Sequence, residues 1–176
     1  MEITLLLHNI RSVYNVGAIL RTVEGIGVKE AVFSGYTPRY NDANLLPHLR
    51  EKLNHQIAKS ALGAEEMVKI TNLGKNDADL VDFLGNLTDK GYKIIGLENN
   101  LAPEEMEKQR ILGKNSDFGE KIALILGEEV AGIPEKIRKM VEFFVEIPMA
   151  GQKESFNVSV ATGIALWALK NNAKIE

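Results

Sequence analysis

An α/β fold, with a mainly parallel sheet and helices on both faces, is predicted by three features of the sequence. Short apolar runs alternate with stretches of helical periodicity. The runs are apolar throughout, as strands buried on both faces are, and glycine or proline marks the ends of several elements. The 176 residues, 45% hydrophobic, are enough for one sizeable core, so one domain spanning residues 1–176 is expected.

In chain order, "ITLLL" (Ile3 to Leu7) reads as the first buried strand, followed by a helix over Asn15 to Ile26 closed by Gly25 and Gly27. "EAVFSG", from Glu30, is the second strand. Tyr36 to Leu53 is polar and weakly patterned, carries Arg39, His48 and Arg50, and reads as a loop. "EMVKI" (Glu66 to Ile70) reads as a third strand. A helix over Asp77 to Lys90, closed by Gly91, leads to the strand "YKIIGL" (Tyr92 to Leu97). Leu101 to Phe118 is a long polar loop with room for one helical turn. "KIALILG" (Lys121 to Gly127) and "FFVEIP" (Phe143 to Pro148) are strands flanking a helix over Pro134 to Val141, with proline in its first turn. From Asn157, the residues Ala161, Ile164, Ala165, Ala168 and Leu169 follow the spacing of a helix with one buried face.

Charge and composition narrow the chemistry. The net charge of -3 is not the footprint of a strongly basic nucleic-acid binder, so any such partner must be read by a local patch. Cysteine is absent, which removes disulfides, thiolate-metal sites and thiol nucleophiles. The N-terminus does not read as a secretory peptide, and no run approaches the roughly 18 apolar residues of a spanning helix. A cytoplasmic protein without membrane contact is the expectation.

Ligands of open α/β sheets sit beyond the carboxyl ends of the strands. Four segments here put glycine or polar residues there: Asn9 to Gly17, Glu98 to Asn100, Gly127 to Gly132, and Met149 to Asn157. In the first, Gly17 and Arg21 share a helix face, and Arg21 would lie over the turn that Gly17 leaves empty, beside free N–H groups suited to a phosphate. The competing reading makes Asn15 the helix cap, Gly17 a packing residue and Arg21 a solvated side chain. In the third, Gly127, Gly132 and Pro134 make a tight turn whose backbone a flat ligand can approach, with Glu128 and Glu129 as acceptors. In the fourth, Ser155 and Asn157, with Ser159 just beyond, crowd the start of the last helix, more polar groups than one cap requires. A serine hydrolase on Ser155 lacks a nucleophile elbow, and His8, His48 and His55 show no metal-ligand spacing, so no metal is expected. Lys136, Arg138 and Lys139 read as a solvated face able to touch a nucleic-acid backbone.

In order and separation, these segments resemble the three motifs of the SpoU/TrmH branch of the SPOUT RNA methyltransferases. "NIRSVYNVGAILRT" is similar to the first motif in Asn15, Gly17 and Arg21. "LILGEEVAGI" is similar to G-x-E-x-x-G in Gly127, Glu129 and Gly132. "IPMAGQKESFNVSVA" is similar to I-P-M-x-G-x-x-x-S-L-N-V-S at every defined position except Phe156, which replaces leucine. The central "KSALGAEE" also looks familial.

The resemblance implies a C-terminal deep trefoil knot, S-adenosyl-L-methionine as cofactor, and a homodimer with active sites at the subunit interface. By matching position it implies cofactor contacts at Leu97, Gly127, Ile147, Ser155 and Phe156, and chemistry around Asn15, Arg21, Glu129, Ser155 and Asn157. It implies methyl transfer to a ribose 2'-hydroxyl of RNA, with tRNA favoured. Ribosomal RNA, or a non-catalytic RNA- or nucleotide-binding module of the same fold, are the alternatives. A basic stripe of Arg11, Arg21, Arg39, Arg50 and Lys153 is a requirement of that reading.

Overall fold

A computed structural model describes residues 1–99, 101–112 and 118–172. Its centre is a seven-stranded, all-parallel sheet in the order β3-β2-β1-β6-β4-β7-β5. The strands are β1 (Glu2–His8), β2 (Glu30–Ser34), β3 (Ile70–Asn72), β4 (Lys93–Leu97), β5 (Gln109–Ile111), β6 (Lys121–Leu126) and β7 (Phe143–Glu146). The helices are α1 (Val13–Ile26), α2 (Pro47–Ala61), α3 (Ala64–Met67), α4 (Asp77–Asp89), α5 (Glu135–Arg138) and α6 (Val158–Asn172).

The pleat sends alternate strand residues into two cores, as a sheet covered on both faces requires. Ile3, Leu5 and Leu7 of β1 and Ile122, Leu124 and Leu126 of β6 pack against α1, α2 and α6. Leu6 of β1 and Ala123 and Ile125 of β6 face the opposite layer, where Leu80, Leu84 and Leu87 of α4 and Ile137 of α5 close the second core. Removal of these strands from water on both sides is the main favourable term holding the sheet.

Local chemistry sets the element ends. Gly27, at φ 69°, ends α1 with its N–H on the carbonyl of Glu24. The loop read over Tyr36 to Leu53 instead enters α2 at Pro47, a helix that buries only Ile57 and Ala61 along its length. The strand read over Glu66 to Ile70 is also corrected. Ala64–Met67 is a single helical turn with Met67 exposed, and the strand begins at Ile70. The long polar loop contains its one helical turn, a 3₁₀ segment over Pro103–Lys108, and then the edge strand β5, which went unread. The loop's residues 113–117 lie outside those described. The helix read over Pro134 to Val141 shortens to α5, with Pro134 just before its first residue.

Strand order decides what these elements position. β1, β6, β4 and β7 are neighbours and all point the same way, so the segments after His8, Leu126, Leu97 and Glu146 emerge side by side at one sheet edge.

Candidate functional site

The loops after these four strands meet around a cavity of ≈ 380 Å³. Its apolar wall comes from Leu97, Leu126, Ile147, Phe156, Val158 and Ala161, and its polar groups from Glu98, Asn99, Glu128, Glu129, Ser155 and Asn157, with Gly127 between them. The volume lies within the roughly 300–1,000 Å³ of small-molecule sites.

The polar rim is ordered by a directional chain of amides. Ser12, and not Asn15, caps α1: its Oγ accepts the Asn15 N–H at 3.3 Å. Asn15 is thereby inside the first turn with its side chain available. At the other end, Asn157 Oδ1 accepts from the N–H (2.9 Å) and Oγ (2.7 Å) of Ser159, capping α6. Because that oxygen is committed as an acceptor, Asn157 Nδ2 donates outward to Asn15 Oδ1 at 3.2 Å. Asn15 Nδ2 must then donate in turn, and it does so to Glu129 Oε1 at 3.2 Å. Three residues 114 and 142 positions apart are joined in one line whose amide dipoles end on a carboxylate.

The Gly127–Gly132 turn is held by its own backbone. The Glu128 N–H donates to the Gly132 carbonyl (3.1 Å) and the Gly132 N–H to the Glu128 carbonyl (2.9 Å). A Cβ at residue 127 would collide with Gly132 and Ile133 backbone, and Gly132 sits at φ 68°. Both glycines are required by the turn itself, whatever it binds.

Glu98 and Asn99 anchor the site from below and stand out in the sequence only as polar residues past a strand end. Glu98 Oε1 accepts from the Ile133 N–H and from Arg138 Nη1, both at 2.9 Å. Arg138 also grips Glu105 through Nε (2.8 Å) and Nη2, and its guanidinium lies 4.7 Å from the Phe144 ring centroid. Burial pushes the Glu98 carboxyl above its usual range, against the Ile133 N–H and Arg138, which favour the charged form. Asn99 Nδ2 donates to the carbonyls of Ile147 and Glu154, both at 3.2 Å, and pins the third loop to the end of β4.

The structure therefore brings together Asn15, Glu129, Ser155 and Asn157, and lines the cavity with Leu97, Gly127, Ile147, Ser155 and Phe156. It does not bring Arg21 to that wall. Arg21 is exposed on α1 and has no hydrogen bond or ion pair among the described residues. The space Gly17 leaves is filled by Ser60 Oγ and the Ile57 carbonyl of α2, so the empty turn expected beneath Arg21 is a helix–helix contact. The expected basic stripe is also thinner. Arg39 is buried and donates to the carbonyls of Gly35, Leu73 and Gly74, and Arg138 is enclosed by its two carboxylates, while Arg11, Arg21 and Lys153 remain exposed. No cluster of three or more metal-ligating side chains occurs among the described residues, and no described helix is long and apolar enough to cross a membrane.

Comparison with known proteins identifies the family. The model of the SpoU rRNA methylase family matches residues 2–167, which takes in all three motif loops and the strands beneath them. The chain belongs to the SpoU rRNA methylase family. Among curated relatives, the "23S rRNA (guanosine-2'-O-)-methyltransferase RlmB" of Pseudomonas putida is 30% identical over 98% of this chain and 60% of its own length. A putative TrmH family tRNA/rRNA methyltransferase of Staphylococcus aureus is 26% identical over 95% of this chain and 58% of its own. The chain thus spans somewhat over half the length of these relatives. Among solved structures, an AdoMet-bound rRNA methyltransferase from Sinorhizobium meliloti aligns with TM-score 0.76 at 19% identity, over 99% of this chain and 57% of that one. A protein described for the 2-OH methylation of C/U34 on tRNA aligns with TM-score 0.72 at 19% identity, over 98% of this SpoU chain and 96% of its own.

Proposed function

We propose that this chain transfers a methyl group from S-adenosyl-L-methionine to a ribose 2'-hydroxyl of RNA. The observation that carries the reading is the convergence of three separated motif loops on one cavity, with Asn15, Glu129 and Asn157 tied in a line across its rim. The residues fit the cofactor: Leu97, Ile147 and Phe156 offer an apolar wall to a flat base, Ser155 a hydroxyl, and Glu98, Glu128 and Glu129 negative charge toward a cationic ligand. When bound, the cofactor supplies an electrophilic methyl on a positively charged sulfur.

An alcohol is a weak nucleophile, so the chain must orient it and stabilise negative charge on its oxygen as the proton leaves. Glu129, with Asn15 on one oxygen, is placed to accept a hydrogen bond from a ribose hydroxyl and fix its direction. A guanidinium offers only hydrogen-bond donors and no basic lone pair, so Arg21 acts as an electrostatic clamp on the 2'-oxygen and adjoining phosphate, and the proton passes to a phosphate or water. Its position, exposed and away from the cavity of its own chain, suits a clamp reaching into a partner's site.

That assignment requires a homodimer, and α6 offers the face for one. Trp167 is 64% exposed on α6 beside an apolar groove of ≈ 670 Å³ that includes Ile26, Leu112, Pro148 and Ile164. Phe156 and Ile147 line both this groove and the cavity, so a second copy seated there would abut the site. A knotted C-terminal part, with α6 packed on α1, belongs to the same proposal. tRNA is the favoured substrate of this proposal, the class named for the neighbour described for the 2-OH methylation of C/U34 on tRNA.

Calorimetry with S-adenosylhomocysteine, followed by radiolabelled methyl transfer to tRNA and ribosomal RNA with mapping of the modified nucleotide, tests the reading. Saturable binding and an alkali-resistant 2'-O-methyl product in tRNA are the expected results. No binding at high micromolar ligand overturns it.

A further inference from the structure

Beside the cavity, and outside the residues assigned above, an exposed aromatic stands on a built base. β1 ends at the fully buried His8, whose Nε2 accepts from Asn9 Nδ2 at 3.0 Å and whose Nδ1 meets Ser34 Oγ at 2.9 Å. Asn9 takes the left-handed conformation at φ 60°, which asparagine tolerates better than most residues. Its Oδ1 accepts the backbone N–H of Tyr36 at 3.2 Å. The intervening Gly35 sits at φ 63°, and any Cβ there would run into that same Oδ1. The loop after β2 is thus fixed to the sheet edge through a buried imidazole and an amide.

What this base presents is a tyrosine that remains 49% exposed. Burial and the Glu128 carboxylate, which lines the cavity, push the Tyr36 hydroxyl above its ordinary range. Glu128 is also 3.7 Å from Arg11, whose side chain is 68% exposed. An open ring and an open guanidinium therefore adjoin the mouth of the cavity through one shared carboxylate. Buried Thr37 and Arg39 hold the loop to β1 and to the segment after β3, while the half-exposed Tyr36 ring contributes little to the core.

We infer that Tyr36 and Arg11 form a docking shelf for single-stranded RNA, Tyr36 stacking on a base next to the acceptor ribose and Arg11 holding its phosphate. The inference rests on the methyltransferase reading above. Charge supports it: the chain carries a net charge of -3, and Arg39 and Arg138 are withdrawn into internal bonds. Affinity for RNA then has few phosphate contacts to draw on, and base stacking must supply a larger share. An aromatic face accepts any base, so the shelf positions the strand, while the Glu128 carboxylate offers an acceptor to an exocyclic amino group.

The test uses the full chain and three variants, Tyr36→Ala, Tyr36→Phe and Arg11→Ala, with unfractionated tRNA as the probe in filter binding. Methyl-transfer kinetics and calorimetry with S-adenosylhomocysteine accompany it. Tyr36→Ala is expected to weaken tRNA binding and raise its KM by about tenfold, the worth of one base–aromatic stack, with cofactor-product affinity unchanged. Tyr36→Phe keeps the ring and stays near wild type, and Arg11→Ala weakens binding and flattens its salt dependence. Unchanged tRNA binding by Tyr36→Ala overturns the shelf, as does a loss matched by an equal loss of S-adenosylhomocysteine binding. The filter-binding arm reads the shelf even in protein that transfers no methyl group, so failure of the shelf and failure of the methyltransferase reading are separate outcomes.

Discussion

His8 illustrates how a single side chain serves the site without touching a ligand. Asn9 donates into Nε2, so the imidazole works in its neutral form with the proton on Nδ1, toward Ser34. Burial lowers its pKa below the ordinary 6.5, with Asp77, 3.5 Å away, opposing the shift. As pH falls, the unfolded chain takes up this proton before the folded one does. Stability contributed by neutral His8 is therefore intact above pH 6.5 and declines as pH falls through that value. Tm measured from pH 7.5 to 5.5 should drop more steeply in wild type than in His8→Asn, comparing slopes so that other titrating groups cancel. At Arg21 the prediction concerns chemistry: Arg21→Ala should lower methyl transfer by about 10²–10³, the cost of one lost charge-stabilising donor, and leave S-adenosylhomocysteine affinity unchanged. A collapse of that affinity would instead put Arg21 on the cofactor side. Residue types at the site were legible because motifs fix identity. Which amide faced which was not, because the direction of Asn157, Asn15 and Glu129 follows from a cap on α6 and a contact made only in the fold.

Elements were legible where their own pattern was strong. β1 and β6 are apolar runs buried on both faces, and α4 carries Leu80, Leu84 and Leu87 at helical spacing. α2 was missed because it is polar over most of its surface, and no side-chain cap marks its start at Leu46. β3 and β5 are three-residue edge strands, defined by pairing to β2 and β7 and not by apolar content. The α1–α2 contact also predicts opposite signs for two glycines of one helix. Gly17→Ala should destabilise by about 1–3 kcal/mol, because the new methyl meets Ser60 and the Ile57 backbone. Gly25→Ala, with nothing within 4 Å of the added carbon, should stabilise by about 0.5–1 kcal/mol through the entropy of the unfolded chain. Thermal unfolding of the two variants checks both, and a shared sign would refute the packing account.

For the whole molecule, one copy leaves the apolar face of α6 around Trp167 uncovered. Trp167→Lys should shift the protein in sedimentation from twice the 19.5 kDa chain mass to the chain mass itself. It should abolish methyl transfer while each subunit keeps its fold by circular dichroism. A wild-type protein that sediments as one chain would remove the partner's Arg21 from the mechanism. By itself the sequence determined the α/β class, the buried strands, the residue types of three loops and the family they belong to. These are properties of short segments, carried by period, cap chemistry and motif spacing. Only the tertiary structure decided that β1, β6, β4 and β7 are neighbours, that Glu98 and Asn99 brace the loops from below, and that Arg39 and Arg138 face inward. The reason is physical. Parallel strands pair across intervening helices, so adjacency at the sheet edge is set by how helices pack on its two faces, and not by order along the chain.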